Sequence, residues 1–197
     1  MEKKYKRKSI RLGECDYSEP GDYFVTICSH NRECVFGEII NDAMVLNSLG
    51  RIVEKCYSEI PKYFPNTELD IFQIMPNHLH GIIRILFEEN NGGDRRGLIN
   101  QTPTKERNDR WILMRDEKTT LGKVIRLFKA KTSFIIHQNN VNFRWQRNYY
   151  EEIVRNEKHY DEIYTYIESN SQTWDRDKNN PAYRLASLRS GQAGQDT

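Results

Sequence analysis

What the 197-residue chain has little of narrows the field first. No apolar run approaches the roughly 18 residues of a membrane span. Four cysteines, Cys15, Cys28, Cys34 and Cys56, form no CxxC pair and share no metal-type spacing with the histidines. They read as reduced thiols of a cytosolic protein. Hydrophobic residues make up only 37% of the chain, which predicts a modest core accompanied by polar segments. Charge of one sign is also scarce. The net charge is +2, so the total says nothing about partners and only the distribution can. The basic start, MEKKYKRKSIR, is followed by no apolar segment and does not read as a signal peptide. The length suits one domain with or without tails.

The pattern of elements comes next. DYFVTICS (22–29) and TELDIFQIM (67–75) are β-branched and aromatic and predict strands, as does HLHGIIRILF (78–87). Pro76-Asn77 separates the last two, which are expected to pair. CVFGEIINDAMVLN predicts a hairpin turning at Asn41-Asp42. Leu49, Ile52, Val53 and Cys56 recur at helical steps behind a cap at Asn47 or Ser48, and Pro61 stops that helix near Ile60. A second helix runs from Thr119 to about Ile136. FRWQRNYYEEIV (143–154) is extended, and RNEKHYDEIYTYIESN (155–170) is a third helix. The expected organisation is a basic arm (1–20), a domain (21–182) carrying a polar insertion (88–117), and a disordered tail (183–197). The order of elements predicts one α+β domain: an antiparallel sheet with helices packed on one face.

Three features carry chemistry. In MPNHLHGIIRI (75–85), His78 and His80 are two residues apart on a strand and so face the same way, as metal-ligating imidazoles could, while Leu79 faces the helix layer. On the last helix, Tyr160, Ile163, Tyr164 and Ile167 form an apolar stripe. His159, Tyr166 and Asn170 form a polar one beside it, placing a phenol and an amide at i and i+4. A phenol can be a nucleophile and an amide oxygen a metal ligand. Finally, the 33 residues from Lys118 to Tyr150 hold seven basic residues and no acid, interleaved with aromatics. Lys123, Arg126 and Lys129, with Arg144 and Arg147, join Lys4, Lys6, Arg7 and Lys8 of the arm as candidate nucleic-acid contacts. Tyr149 and Tyr150 remain alternative nucleophiles by spacing alone.

From EPGDYFVTICSHNRECVFGEI through MPNHLHGIIRI and TLGKVIRLFKAKTS to FRWQRNYYEEIVRNEKHYDEIYTYIESN, the chain resembles the single-tyrosine HUH transposases, in particular the REP-associated tyrosine transposase-like group. The resemblance implies a ferredoxin-like sheet. It implies His78-Leu79-His80 as the HUH signature, Tyr166 as nucleophile, Asn170 as third ligand, and Mg²⁺ or Mn²⁺ as cofactor. It also implies cleavage and rejoining of single-stranded hairpin DNA through a 5′-phosphotyrosine, in the cytoplasm at the nucleoid, with no nucleotide cofactor and no membrane partner. Relatives occur as monomers and as homodimers. Relatives usually carry proline after the asparagine, where this chain has Ser171. His159 is our candidate proton acceptor. A hairpin-binding descendant without cleavage and a replication-initiator-type nickase are the competing readings. A histidine-triad hydrolase is not, because its third histidine position is Ile82.

Overall fold

The structure, a computed structural model, describes residues 19–87, 118–139 and 141–192, side chains of 187–192 excepted. The basic arm up to residue 18, the 88–117 insertion and residues 193–197 lie outside the described residues. Strands β1 (Gly21–Cys28), β4 (Thr67–Met75), β5 (His78–Ile85) and β6 (Tyr150–Ile153) make one sheet in the order β4-β5-β1-β6, every pairing antiparallel. A separate hairpin, β2 (Gly37–Ile40) and β3 (Ala43–Leu46), turns at Asn41-Asp42 with both residues at positive φ, as a two-residue primed turn requires. The helices are α1 (Ser48–Ser58), the short α2 (Ile60–Tyr63), α3 (Leu121–Gln138), α4 (Glu157–Ser169) and α5 (Pro181–Gln192). With the β2–β3 hairpin and α2 set aside, β1-α1-β4-β5-α3-β6 with that strand order is the ferredoxin-like arrangement.

Local chemistry sets the element ends. Asn47, Thr120 and Asn156 cap α1, α3 and α4, each side-chain oxygen accepting from the backbone N–H three residues on. Pro61 opens α2 instead of merely ending α1. β4 and β5 join through Pro76-Asn77 alone, with Met75 opposite His78. The aromatic segment 143–154 is strand only over its last third, although Trp145 bridges to Ser29.

Alternation along the strands divides the core. Tyr23, Val25, Ile27, Leu79, Ile83 and Ile85 face α1 and α3 and join the larger cluster with Val53, Tyr57, Val124 and Phe128. Full burial of each such side chain contributes about 1.5–3 kcal/mol. Gly81 lies on this face because Tyr57 occupies its place: a Cβ there would stand 2.3 Å from the Tyr57 hydroxyl. The opposite face carries Phe24 and Ile82, which pack on Ile163 and Ile167 of α4. The helices therefore do not all share one face, as the element order suggested. The residues alternating with the main core are themselves apolar at Phe24 and Ile82, and that second patch needs its own cover. Tyr160 ties α4 down by donating to Asp70 Oδ2 at 2.8 Å, whereas Tyr164, expected in the core stripe, is exposed.

The expected disordered tail is also corrected for residues 183–192, which belong to α5. Pro181 starts that helix, Asn180 Oδ1 accepts from Ala182 N–H at 2.9 Å, and Ala, Leu and Arg sustain it. Its weak amphipathic pattern hid it. Cys28, Cys34 and Cys56 are free thiols. No helix among the described residues is long and apolar enough to cross a membrane.

Candidate active site

β5 brings His78 and His80 onto the sheet face covered by α4, and both are fully buried. Their Nε2 atoms approach to 2.7 Å. The hydrogen bonds behind them explain what those atoms are. Asn77 sits beneath His78 with its Nδ2 donating to two carbonyls, Arg32 O and Asn179 O, both at 2.8 Å. Its Oδ1 must therefore be the atom 2.7 Å from His78 Nδ1, and there it can only accept. His78 is thus protonated on Nδ1 and presents a lone pair on Nε2. His80 Nδ1 meets the Thr26 hydroxyl at 2.8 Å, a partner that serves either tautomer. Arg32, which supplies one of the carbonyls, and Asn31 before it both hold left-handed backbone (φ 56° and 54°), a conformation that costs such residues about 1 kcal/mol.

α4 delivers the tyrosine. With Ile163 and Ile167 facing the sheet, Tyr166 falls beside the histidines, its hydroxyl 3.1 Å from His80 Nε2 and its ring centroid 5.0 Å from that imidazole. Phe24 stacks on His80 and meets the Tyr166 ring edge-on, and Trp174 lies 6.0 Å from His78. Asn170, one turn beyond Tyr166, is buried with neither amide atom hydrogen-bonded.

After α4 the chain does not run away. Turns through Ser171 to Thr173 bend it back into the 3-10 turn Trp174–Arg176. This places Asp177 against the histidines. Asp177 is buried, Oδ2 lies 3.8 Å from His78 Nε2 without a hydrogen-bond donor, and Oδ1 accepts from Asn179 N–H. His78, His80 and Asp177 form a group whose ligand atoms lie within 4.8 Å of one another. Reading the sequence missed Asp177. It follows a turn outside any periodic element, and its segment docks through the bonds from Asn77 to Asn179 O and from Arg32 Nε to Asn179 Oδ1.

The donor set fits a divalent cation. Two imidazole nitrogens, one buried carboxylate oxygen and an unpartnered buried amide converge, and each buried atom left without a partner costs free energy that a cation would recover. Electrostatics agree. Burial, together with the Arg32 and Lys178 charges, pushes His78 down to about 3, and burial first, then His78 and Lys178, holds His80 well below its ordinary value. Both imidazoles are therefore neutral and ligand-ready. Tyr166 is pushed up to about 12 by burial and the Asp177 charge.

Other expected site residues lie elsewhere. His159 accepts from Arg155 N–H and pairs with Glu152 at 3.4 Å, so it turns to β6 and not to the Tyr166 hydroxyl. Tyr150 donates to Glu152, 2.7 Å away. Lys123, Arg126 and Lys129 ride on α3, across the sheet from the histidines. Lys129 donates to Gln146 O and Asn148 O, and Lys123 donates to Lys118 O, while Arg126, Arg144 and Arg147 are exposed. Lys4, Lys6, Arg7 and Lys8 lie outside the described residues.

With this geometry in hand, the chain can be set beside known proteins. No family model matches it. It is 43% identical over 173 residues to an uncharacterized protein of Haemophilus influenzae, covering 87% of this chain and 92% of that one. Among solved structures it is similar to a REP-associated tyrosine transposase bound to a REP hairpin, with a TM-score of 0.53 at 16% identity over 86% of this chain and 77% of that one. The chain belongs to one family with the Haemophilus protein. It has the REP-associated tyrosine transposase fold. Within that transposase fold, the histidines occupy a central strand, and the tyrosine helix packs on the face they share.

Proposed function

We propose that the chain is a metal-dependent single-stranded DNA endonuclease and strand transferase that acts on hairpin DNA through Tyr166. The observation that carries this reading is the 3.1 Å approach of the Tyr166 hydroxyl to His80, beside the buried group of ligand side chains His78, His80 and Asp177. His78, His80 and Asp177 would hold Mg²⁺ or Mn²⁺, with Asn170 as a further donor. A cation bound there supplies positive charge that polarises the scissile phosphate and eases loss of the phenolic proton. Tyr166 Oη then attacks phosphorus in line, and the bond from phosphorus to the 3′-oxygen breaks. A 5′-phosphotyrosine forms and a 3′-hydroxyl leaves. The proton lost by the phenol equals the one gained by the 3′-oxygen, exchanged through water at the 37%-exposed tyrosine. Because the phosphotyrosine keeps the phosphodiester energy, a 3′-hydroxyl reverses the step without a nucleotide cofactor. The basic arm and the exposed Arg126, Arg144 and Arg147 serve the stem's phosphates. The protein acts in the cytoplasm, at the nucleoid.

The test is a labelled single-stranded stem-loop from the DNA flanking the gene, incubated with Mn²⁺ and resolved on a denaturing gel. Wild type is expected to give a covalent adduct and Tyr166→Phe none. An adduct with both would move the chemistry to Tyr149 or Tyr150. Tight binding with no adduct, in Mn²⁺ and in a repeat with Mg²⁺, would mean a hairpin-binding protein without cleavage.

A further inference from the structure

Thr26 is the cross-strand neighbour of His80 on one side and of Tyr150 on the other. His80, Thr26 and Tyr150 therefore form one row across the sheet, all on the face that carries the site. With neighbouring strands about 4.8 Å apart, Tyr150 stands roughly 10 Å from His80, at the sheet's β6 edge. Its ring is 49% exposed, yet it is held in place: Phe24 meets it in a T-shaped contact at 6.1 Å and its hydroxyl donates to Glu152. An immobilised aromatic whose face is open contributes little to packing.

Lys178 comes to the same place from another element. It follows Asp177 directly, but where Asp177 is buried Lys178 is exposed, and its Nζ lies 5.7 Å from the Tyr150 ring centroid. Among the described residues it makes no ion pair. Its charge is felt by both histidines. A cation with no acid, resting over an open aromatic face beside a phosphate-handling centre, is the pairing that a single-stranded nucleotide would satisfy: a ring for the base and an ammonium for the phosphate.

We propose that Tyr150 and Lys178 form a binding site for one unpaired nucleotide flanking the scissile phosphate, the base stacking on Tyr150 and the neighbouring phosphate pairing with Lys178. This rests on the function proposed above and names the residues that take hold of the strand beside the reacting bond. Every base has a π face, so the site grips without selecting sequence. On binding, Lys178 exchanges its contact with the ring for the phosphate, and the base takes the vacated face.

The experiment measures binding alone. The Tyr166→Phe chain, in chelator, is titrated by fluorescence anisotropy against a stem-loop with a short single-stranded flank, and against the same DNA with one abasic site stepped along that flank. Tyr150→Leu is expected to weaken binding about 5- to 150-fold, and Tyr150→Phe to restore it to within about twofold. Lys178→Ala should weaken binding and reduce the salt-dependence slope by about 0.7. One abasic position should weaken the parent and leave the Tyr150→Leu chain no weaker than before. Equal binding by parent and Tyr150→Leu would overturn the inference and leave the proposed function standing. A parent chain that binds no single-stranded or hairpin DNA would overturn both.

Discussion

Asn77 shows how one buried amide can prepare a metal ligand. Its two donated bonds orient it, its single accepted bond selects the His78 tautomer, and one of the donated bonds docks the segment that carries Asp177. Partners of this kind typically change metal affinity 10- to 100-fold. Asn77→Ala is therefore expected to weaken Mn²⁺ binding by about that factor, measured by calorimetry without DNA, and Asn77→Asp should not rescue it, since a carboxylate cannot donate to the two carbonyls. Unchanged affinity in Asn77→Ala would dismiss the role. In the same assay Asp177→Ala should cost more affinity than Asn170→Ala, and the reverse order would make Asn170 the third ligand. The buried histidines also predict a pH dependence. Both are held below their ordinary value, His78 at about 3, so between there and about pH 6.5 the unfolded chain binds protons that the folded chain refuses. In chelator, the stability they contribute is complete above about pH 6.5. It is lost as pH falls, at up to about 1.4 kcal/mol per unit per histidine. Urea midpoints between pH 7 and pH 4.5 should show this decline, and His78→Gln should flatten it.

Among the elements, α4 carries the greatest risk to function. It is held to the sheet by a small apolar cluster around Ile163 and Ile167 and by the Tyr160–Asp70 bond. Ile167 is fully buried and adjoins Tyr166, so Ile167→Ala should cost about 2–5 kcal/mol in a chemical denaturation experiment. It should also reduce adduct formation at temperatures where the chain is still folded, because the tyrosine loses its support. Normal adduct yield in a destabilised variant would mean that α4 is positioned by something other than this cluster. The same scale explains why α3 and α4 differ in use. α3 lies in the larger core, on the sheet face opposite the histidines.

For the molecule as a whole, the placement of Tyr166 and the histidines within one chain is a statement about assembly. The hydroxyl reaches His80 of the same chain. Mixing Tyr166→Phe protein with His78→Ala protein is thus expected to give no more adduct than either alone. Recovery of activity in the mixture would show that α4 serves a partner's site and that the helix exchanges between chains.

The amino-acid sequence alone determined the four sheet strands in outline, the helices α1, α3 and α4, and the chemistry-bearing pair, but not α2 or α5. Strand alternation forces His78 and His80 to one face and Leu79 to the other, and helical geometry puts Tyr166 and Asn170 on one side of α4. Those relations are local and survive any packing. The tertiary structure decided what lies across from them. Nothing local says that α4 covers the histidine face while α3 covers the other. That follows from two apolar surfaces on one sheet, at Phe24–Ile82 and at Val25–Leu79–Ile83, each requiring cover. Nor could spacing reveal that Asp177, beyond a turn, returns to His78, or that Lys178 meets Tyr150. Those contacts depend on a bond from Asn77 to a carbonyl 102 residues away and on a chain reversal whose course only the packed molecule defines.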